Sequence, residues 1–480
     1  MCEQFQLPPL HYAVRHGHIE MIKAFLDYGA DPDIKNRDGQ TPLHLAAKYR
    51  PAPLTSYARF ASSPTKVRRA MMHRTTLRTA ELFAPTETII SVLLREGATV
   101  DARDSGQYTP LHYAAMKDNQ DEASQLITIG QADVNANDQH GSSPLHLAAS
   151  HGSEKVAKLL LDNKSKIHDI DDRRNTPLHL ACRNGYEQIV RLLLDRIEEP
   201  EDKQKYIELT NYEDNNALHL AAYGGHLDVV NEIFKTEDQQ KIQINVNVAR
   251  KDKMTLLHLA VEKGSESLCG KLIEKSANIS AVDINRRTPL DYAAFHNKPN
   301  IIKLLVEKGA DIECRSKDGF TPFLTAVSEN HMDAVRMLCD LGCDCSVVDV
   351  EQRSAIFLAA KFNGLAILKY LLEDIGGGDP SFNHIADYVN KPTSDFQTPM
   401  HIAAANAYMD ILQLLKEKGG NINASGDDEQ TPLHLACQNN HVEVVNQLLL
   451  WNDSLITEKD ENGNTPLHYA AKEDFTKKRL

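Results

Sequence analysis

Apolar residues recur along this chain in pairs of short segments, each with the three-to-four-residue spacing of an amphipathic helix. In one such pair, the first segment begins after Ser143 and Pro144, and the second carries Val156 and Leu160 on one face. A serine hydroxyl can cap a helix start, and a proline at the first helical position loses no hydrogen bond. Gly152 separates the two segments and tolerates a positive φ. The pattern therefore predicts two short helices joined by a tight turn.

This helix pair repeats along almost the whole chain. The phrase TPLHLAA at 41–47 returns with small changes, and the commonest distance between successive copies is about 33 residues. One pair cannot bury its apolar stripe alone, so each repeat must pack against its neighbours. A T-P-L-H-x-A phrase at this period resembles the ankyrin-repeat family. The resemblance implies an all-α solenoid of about thirteen helix-turn-helix repeats with finger loops, forming a single array over 1–480.

Four steps between copies exceed the period, and insertions in such an array map to loops. The longest insertion, at 51–85, is basic and amphipathic, and such a stretch could serve as a regulatory element that binds acidic partners, anionic lipid or calmodulin or accepts phosphate. A tolerated loop without structure is the alternative. We also predict loops for the insertion at 376–390 and for two shorter ones after the fifth and sixth repeats. The candidate regulatory residues of the first insertion are Ser62, Ser63, Lys66, Arg68, Arg69, Arg74 and Arg78.

The composition is that of a folded, soluble and acidic protein. Hydrophobic residues make up 41% of the chain and charged residues 25%, and 53 Lys and Arg stand against 67 Asp and Glu. The net charge of -14 repels phosphate backbones, so we expect no nucleic acid partner. Apolar runs of about 18 residues are missing from the sequence, and the eight cysteines are scattered as in reduced proteins. We therefore expect a cytoplasmic chain that does not itself insert into a membrane.

A histidine occupies the fourth position of TPLHLAA in many copies. Such a histidine invites a metal-binding or catalytic interpretation. One imidazole per repeat at a fixed phase is, however, expected where the ring bridges backbone groups of adjacent repeats. We predict a structural role for these residues, which are His44, His112, His146, His179, His434 and His468.

One group of cysteines departs from the scattered pattern. The segment LCDLGCDCSVVD at 338–349 places Cys339, Cys343 and Cys345 at a helix end and turn, with Cys314 about one repeat earlier. Four thiols could therefore lie close together. The C-x3-C-x-C spacing lacks the second cysteine pair that is typical of structural zinc sites, so we expect no metal ligand and no cofactor. A redox or electrophile-sensing role is the alternative.

The sequence contains no motif of a known catalytic site. Nucleophile-elbow, zinc-protease and phosphate-loop motifs are missing, and a stack of short helices offers no deep pocket by default. We expect no catalytic residue and no enzyme. Basic residues instead mark the turns between repeats, where they could receive an acidic partner or simply keep exposed turns soluble. These candidate partner-binding residues are Arg37, Arg173, Arg174, Lys253, Arg286, Arg287, Lys317 and Arg353.

Two functions fit these observations. One is a non-enzymatic scaffold or adaptor that binds other proteins through its finger loops and concave face. The other function follows from a resemblance. The insertion after HLAAKYR and segments such as ADVNANDQHGSSPLH resemble the amino-terminal array of transient receptor potential ankyrin (TRPA) cation channels. That resemblance implies a cytosolic regulatory segment, at the cytoplasmic face of a membrane and within a channel tetramer. Neither end carries a polar capping repeat, which predicts a piece of a longer protein or a charged tail acting as a cap.

Overall fold

A computed structural model describes residues 7–50, 87–240, 242–375 and 389–477. The chain divides into two compact units, an amino-terminal unit at Met1–Ile244 and a carboxy-terminal unit at Asn245–Leu480. In these four described ranges the structure is helical, and extended pairing is limited to the isolated bridges Ala249–Thr255 and Val348–Ser354. No helix of the described ranges is long and apolar enough to cross a membrane.

The described part of the amino-terminal unit is built from short helices that alternate between the two members of each repeat. They are α1 (Pro9–Arg15), α2 (Ile19–Asp27), α3 (Pro42–Lys48), α4 (Ile89–Arg95), α5 (Pro110–Lys117), α6 (Gln120–Thr128), α7 (Pro144–His151), α8 (Glu154–Asp162), α9 (Pro177–Asn184), α10 (Glu187–Asp195), α11 (Pro200–Glu208), α12 (Ala217–Gly224) and α13 (Leu227–Gln240).

The described part of the carboxy-terminal unit continues the same alternation. Its helices are α14 (Leu256–Lys263), α15 (Glu266–Glu274), α16 (Pro289–Phe295), α17 (Pro299–Glu307), α18 (Pro322–Ser328), α19 (Met332–Asp340), α20 (Ala355–Lys361), α21 (Leu365–Lys369) with a π-helical extension at Tyr370–Ile375, α22 (Pro399–Ala405), α23 (Met409–Glu417), α24 (Pro432–Gln438), α25 (Val442–Trp451) with a 3-10 turn at Asp453–Thr457, and α26 (Pro466–Lys477).

Within each unit the helices form two parallel rows. In the amino-terminal unit the first helices of successive repeats, α3, α5, α7, α9 and α12, contact one another in order, and the second helices α4, α6, α8, α10 and α13 do the same. In the carboxy-terminal unit the corresponding rows are α14, α16, α18, α20, α22, α24 and α26, and α15, α17, α19, α21 and α23. The predicted ankyrin-repeat solenoid is confirmed, and its core lies between the two rows.

The local signals for each helix pair act as the sequence predicts. Ser143 is the N-cap of α7 and Pro144 is its first residue. Gly152 ends this helix with φ of 75°, in the left-handed region that favours glycine. Val156 and Leu160 of α8 are fully buried, so the apolar stripe faces the neighbouring helices.

The repeat histidine joins each repeat to the next one. In the example of His112, Nδ1 lies 3.0 Å from the backbone nitrogen of Thr109 and 2.9 Å from its Oγ1. A backbone N–H always donates, so Nδ1 accepts, and Nε2 carries the ring proton and donates to the carbonyl of Ser142 at 3.0 Å. Burial lowers the pKa of His112 to about 4, which keeps the ring neutral. The predicted structural role is confirmed.

The same bridge recurs in both units. Nε2 donates to the next repeat's backbone from His44 to Tyr108, from His146 to Asn175, from His179 to Leu209 and Asn215, from His258 to Arg287, from His401 to Gln430 and from His434 to Asn464. His468 makes the contact within its own repeat, where its Nδ1 lies 2.9 Å from Oγ1 of Thr465.

Two of the insertions that we predicted as loops are helical, so that prediction was wrong. The insertion after the fifth repeat forms α11, where Pro200 occupies the first helical position and two acidic residues follow in the first turn. Tyr206 of this helix is fully buried, and its hydroxyl donates to the carbonyl of Ile167 at 2.7 Å. The insertion after the sixth repeat lengthens a second helix, because α13 has 14 residues where α10 has 9.

The two remaining insertions fall on residues that the structure does not describe. The basic insertion at 51–85 lies outside the described residues, with its candidates Ser62, Ser63, Lys66, Arg68, Arg69, Arg74 and Arg78. The insertion at 376–390 lies outside them as well, apart from Val389 and Asn390. Both interpretations stay predictions.

Candidate functional site

The finger turns, which join the second helix of one repeat to the first helix of the next, share one geometry. In the turn before α9, Oδ1 of Asp171 accepts hydrogen bonds from the backbone nitrogens of Arg173 at 2.9 Å and Asn175 at 2.7 Å. The backbone nitrogen of Asp172 donates to the carbonyl of His140 in the preceding finger at 2.8 Å. In other described fingers the closing side chain is an asparagine, as at Asn36 and Asn211, or a hydroxyl residue, as at Ser316, and each of these fingers is tied to a neighbour through its backbone.

The predicted basic row lies on these fingers, but its members are not equivalent. Six of the eight side chains are exposed at finger tips. They are Arg37, Arg173 and Arg174 in the amino-terminal unit and Lys253, Arg286 and Lys317 in the carboxy-terminal unit. The guanidinium of Arg174 also lies over the ring of Tyr212, 5.8 Å from the ring centroid. The partner-binding role of these six residues stays a prediction.

Arg287 and Arg353 turn back onto their own fingers. Arg287 forms an ion pair with Asp283 at 3.0 Å. Arg353 pairs with Asp349 at 2.5 Å and with Glu351 at 2.9 Å. Because Asp283 and Asp349 are buried carboxylates, these two arginines balance charge inside the molecule, and the row that faces solvent is shorter than the sequence suggests.

Three of the exposed basic residues have an unfavourable backbone conformation. Arg174, Lys253 and Arg286 have φ of 60°, 62° and 59°, in the left-handed region. Glycine occupies the same finger position elsewhere, as at Gly39 and Gly319. A residue with a side chain costs about 1 kcal/mol or more in this conformation. Gln107, Gln352 and Glu429 adopt the same conformation in other fingers, so the strain belongs to the finger geometry rather than to a positive charge.

Three consecutive repeats of the carboxy-terminal unit lack the bridging histidine. Asp291, Leu324 and Phe357 take its place on α16, α18 and α20. Asp291 is 1% exposed, and its Oδ2 accepts hydrogen bonds from the backbone and hydroxyl of Thr288 at 2.7 and 2.9 Å. Its buried Oδ1 has no hydrogen-bond partner in the described part of the chain. Burial raises the pKa of Asp291 to about 6.

A groove of about 300 Å³ lies along these histidine-free repeats. Its walls come from α16, from the finger before α18 and from the residue after α20. Four aromatic rings line it, of which Phe295 is 39% and Phe362 is 45% exposed, while Phe320 is half-buried and Tyr292 is buried. Exposed aromatic rings in a concave surface are typical of binding sites.

The same groove is acidic. Asp291 lines its floor, and the exposed Asp318 and Glu329 lie at its edges. Arg287 also contributes to the lining, but its charge is balanced by Asp283. Carboxylates beside aromatic faces attract a cation through its charge and through the ring quadrupole. Sequence reasoning missed this groove, although an aspartate in place of histidine in RTPLDYAA was a visible signal.

The structure brings together three of the four cysteines considered above. Cys339, Cys343 and Cys345 place their sulfur atoms within 4.8 Å of one another. Cys314 lies apart from this group, and its Sγ contacts Oγ1 of Thr288 at 3.2 Å and the carboxylate of Asp291 at 3.5 Å. Hydrogen bonds with Cys343 and Cys345 lower the pKa of Cys339, whereas the hydrogen bond with Cys339 raises the pKa of Cys343.

Comparison with known families agrees with the helix pairs and histidine bridges. A family model described as ankyrin repeats in three copies matches in six overlapping segments, and a model described as ankyrin repeats in many copies matches the start of the chain. The matched residues are 80–171, 163–247, 239–316, 309–384, 382–460 and 400–477 for the first model and 10–57 for the second.

Among known proteins, two TRPA relatives align over nearly the whole chain. The Caenorhabditis elegans homolog of transient receptor potential cation channel subfamily A member 1 is 32% identical over 97% of this chain, and the Homo sapiens channel of that name is 24% identical over 98%. This chain spans 38% of the length of each. A putative Danio rerio palmitoyltransferase, ZDHHC13, is 29% identical over 32% of this chain and 19% of its own length.

Proposed function

The chain belongs to the ankyrin-repeat family, and we propose from this that it acts by binding other proteins rather than by catalysing a reaction. The observation that carries the proposal is the groove along α16, α18 and α20. It combines four aromatic rings with three carboxylates at repeats that lack the bridging histidine. A concave surface that joins exposed aromatic rings to carboxylates is well suited to a specific partner.

The chemistry of the groove favours a cationic side chain. A guanidinium or ammonium group over Phe295 gains about 0.5–2 kcal/mol from the ring, depending on how far it is desolvated. The ammonium of Lys361 already lies 5.7 Å from the ring centroid of Phe362, so Phe362 offers mainly apolar contact to the stem of a partner's basic side chain. Glu329 and Asp318 at the edges add charge complementarity, which raises the association rate and excludes acidic partners. We therefore propose that the groove takes an arginine or lysine side chain of a partner protein.

The finger tips supply a second part of the proposed interface. Arg174, Lys253 and Arg286 present a positive charge at exposed finger tips, and loops held by a rigid scaffold commonly carry binding residues. Their charge favours acidic segments of a partner. A bound protein that places a basic residue in the groove and acidic residues along the nearby fingers Lys253 and Arg286 satisfies both surfaces of the carboxy-terminal unit.

The test uses a fluorescent peptide of alternating arginine and serine, with a glutamate-and-serine peptide as its counterpart. Fluorescence anisotropy with the full chain should show tighter binding of the arginine peptide. We expect Phe362→Ala and Glu329→Gln each to weaken this binding about 5-fold or more. Tyr28→Ala is the matched control, because Tyr28 is an aromatic residue that is 93% exposed and lies in the amino-terminal unit. Equal affinity of the Phe362→Ala and Tyr28→Ala variants would contradict the groove.

A second function is favoured by the alignment with the TRPA channels over 97% of the chain. We propose that the array is the cytosolic regulatory segment of such a channel, on the cytoplasmic side of a membrane. The chain spans 38% of the length of these relatives. Channel activity and tetramer formation are therefore part of what we propose. Sequencing of the transcript beyond the codon for Leu480 tests it. Several apolar stretches of about 20 residues downstream support the channel, and a stop codon there leaves the adaptor.

A further inference from the structure

Cys339, Cys343 and Cys345 lie at the end of α19 and in the turn that follows it. Gly342 has φ of 84° and turns the chain back, and the backbone nitrogen of Cys343 then donates to the carbonyl of Leu338 at 3.2 Å. The same turn elsewhere places an alanine under the last helical turn, as with Ala98 and Ala310. In this repeat the turn places a thiol there instead.

The sulfur atoms are spaced as ligands of one metal ion would be. The Sγ atoms of Cys339 and Cys345 are 3.5 Å apart, those of Cys343 and Cys345 are 3.9 Å apart, and all three lie within 4.8 Å. A zinc–thiolate bond of about 2.3 Å at tetrahedral angles places two sulfur ligands about 3.8 Å apart. The observed spacing therefore needs little adjustment to enclose an ion.

The backbone that carries these thiols is fixed by polar contacts. The backbone nitrogen of Asp344 donates to Oε1 of Glu313 in the preceding finger at 2.7 Å, and the carboxylate of Asp344 accepts from the backbone nitrogen of Ser346 at 2.8 Å. Cys343 and Cys345 are 2% and 5% exposed, and Cys339 is half-buried. The cluster is therefore held in place and largely shielded from solvent, and an ion would enter it past Cys339.

We propose that Cys339, Cys343 and Cys345 form a three-thiolate site for a thiophilic metal ion of the Zn²⁺ and Cu⁺ class. Thiolate ligands select these soft ions over Mg²⁺ and Ca²⁺. Binding replaces the thiol protons, which pass to the solvent as the metal–sulfur bonds form. No fourth histidine, cysteine or carboxylate belongs to this group among the residues that the structure describes, so the site keeps an open coordination position.

A Cd²⁺ titration of the reduced full chain tests the site, because cadmium–thiolate bonds absorb in the ultraviolet. We expect absorption that saturates at one equivalent in the unmodified chain and is lost in Cys343→Ser. Cys437→Ser is the matched control, since Cys437 is also a buried free cysteine, on α24, and should leave the titration unchanged. No charge-transfer absorption in the unmodified chain, or full absorption in Cys343→Ser, would overturn the proposal.

A second measurement needs no variant and so does not depend on how a variant folds. Zn²⁺ should slow the alkylation of Cys339 at least 10-fold, as followed by peptide mass spectrometry. Cys314 is the internal control, because it is also half-buried but lies outside the cluster, and its alkylation rate should not change. An equal rate at Cys339 with and without Zn²⁺ would overturn the proposal.

Discussion

The repeats around α5, α7 and α9 and those around α16, α18 and α20 share one helical scaffold but join their neighbours differently. In the first region a buried histidine accepts at Nδ1 and donates at Nε2 in every repeat, as His112 does between Thr109 and Ser142. In the second region Asp291, Leu324 and Phe357 replace it, and a buried carboxylate oxygen is left without a partner among the described residues.

This difference shows which repeats carry features that the stacking of helix pairs does not require. In the first region both ring nitrogens of each bridging histidine are hydrogen-bonded, which stabilises the solenoid. The second region contains the acidic aromatic groove, and the thiol cluster follows α19 between two of its repeats. Loss of the repeat histidine therefore coincides with the residues that have candidate binding chemistry.

Acidification should produce the largest effect in the first region. Burial lowers the pKa of His112 from 6.5 to about 4. A histidine with a lowered folded-state pKa gives stability that is complete above the unfolded-state pKa and is lost as pH falls toward the folded-state value. We expect the amides of α5 to lose about 3 kcal/mol of hydrogen-exchange protection between these pH values, after correction for intrinsic exchange rates.

Asp291 should show the opposite dependence. Burial raises its pKa from 3.8 to about 6, so its contribution to stability is complete at low pH and is lost as pH rises through about 6. The amides of α16 should therefore lose less protection on acidification than those of α5. Equal losses of hydrogen-exchange protection at α5 and α16 would show that the contacts of His112 and Asp291 respond to acid in the same way, and would contradict this prediction.

Replacing a bridging histidine should have the next largest effect. His146→Leu leaves the backbone nitrogen of Ser143 buried without a partner and removes one of the two hydrogen bonds to the carbonyl of Asn175, which keeps the backbone nitrogen of Asp171, and we expect a loss of about 2 kcal/mol in the free energy of unfolding. Urea unfolding followed by circular dichroism measures it. His151→Leu on the exposed end of the same helix is the control and should have little effect. Similar midpoints for the two variants would contradict the bridge.

The reverse change should stabilise the second region by a smaller amount. Asp291→His restores a donor at the position of the unpaired Oδ1, and we expect a gain of about 1 kcal/mol at neutral pH. Thermal unfolding gives the measurement. In this variant the amides of α16 should lose as much hydrogen-exchange protection on acidification as those of α5. A lower melting temperature at neutral pH would mean that the site has adapted to the carboxylate.

The smallest effect concerns the fingers. Arg174→Gly removes a side chain from a left-handed residue, and we expect a gain of about 0.5 kcal/mol after the entropic cost of glycine. Arg173→Gly, one residue earlier, is the control and should not stabilise the chain. Differential scanning calorimetry shows whether each variant is stabilised or destabilised. If Arg173→Gly stabilised the chain as much as Arg174→Gly, the gain could not come from relief of backbone strain at residue 174.

The sequence predicted what depends on a repeated local pattern. Proline and threonine at the helix starts, glycine at the ends and the structural histidines all follow from neighbouring residues, and the structure confirms them. The helix α11 was missed, although Pro200 followed by acidic residues is an ordinary start signal. The groove and the distances between the thiols could not be predicted, because residues as far apart as Phe295 and Phe362 meet only through stacking.

The histidine bridge also bears on how such arrays grow. Nε2 of His146 is bonded to a backbone carbonyl of the following repeat, and every residue has that carbonyl. A duplicated or exchanged repeat therefore fits its new neighbour without any matching side chain. Asp291 instead contacts the thiol of Cys314 in the following finger, so this joint requires two particular residues to be inherited together. Duplication or loss of a whole repeat should therefore disturb the stack least where the bridge is a histidine. The repeat with Asp291 depends instead on the cysteine of the repeat that now follows it.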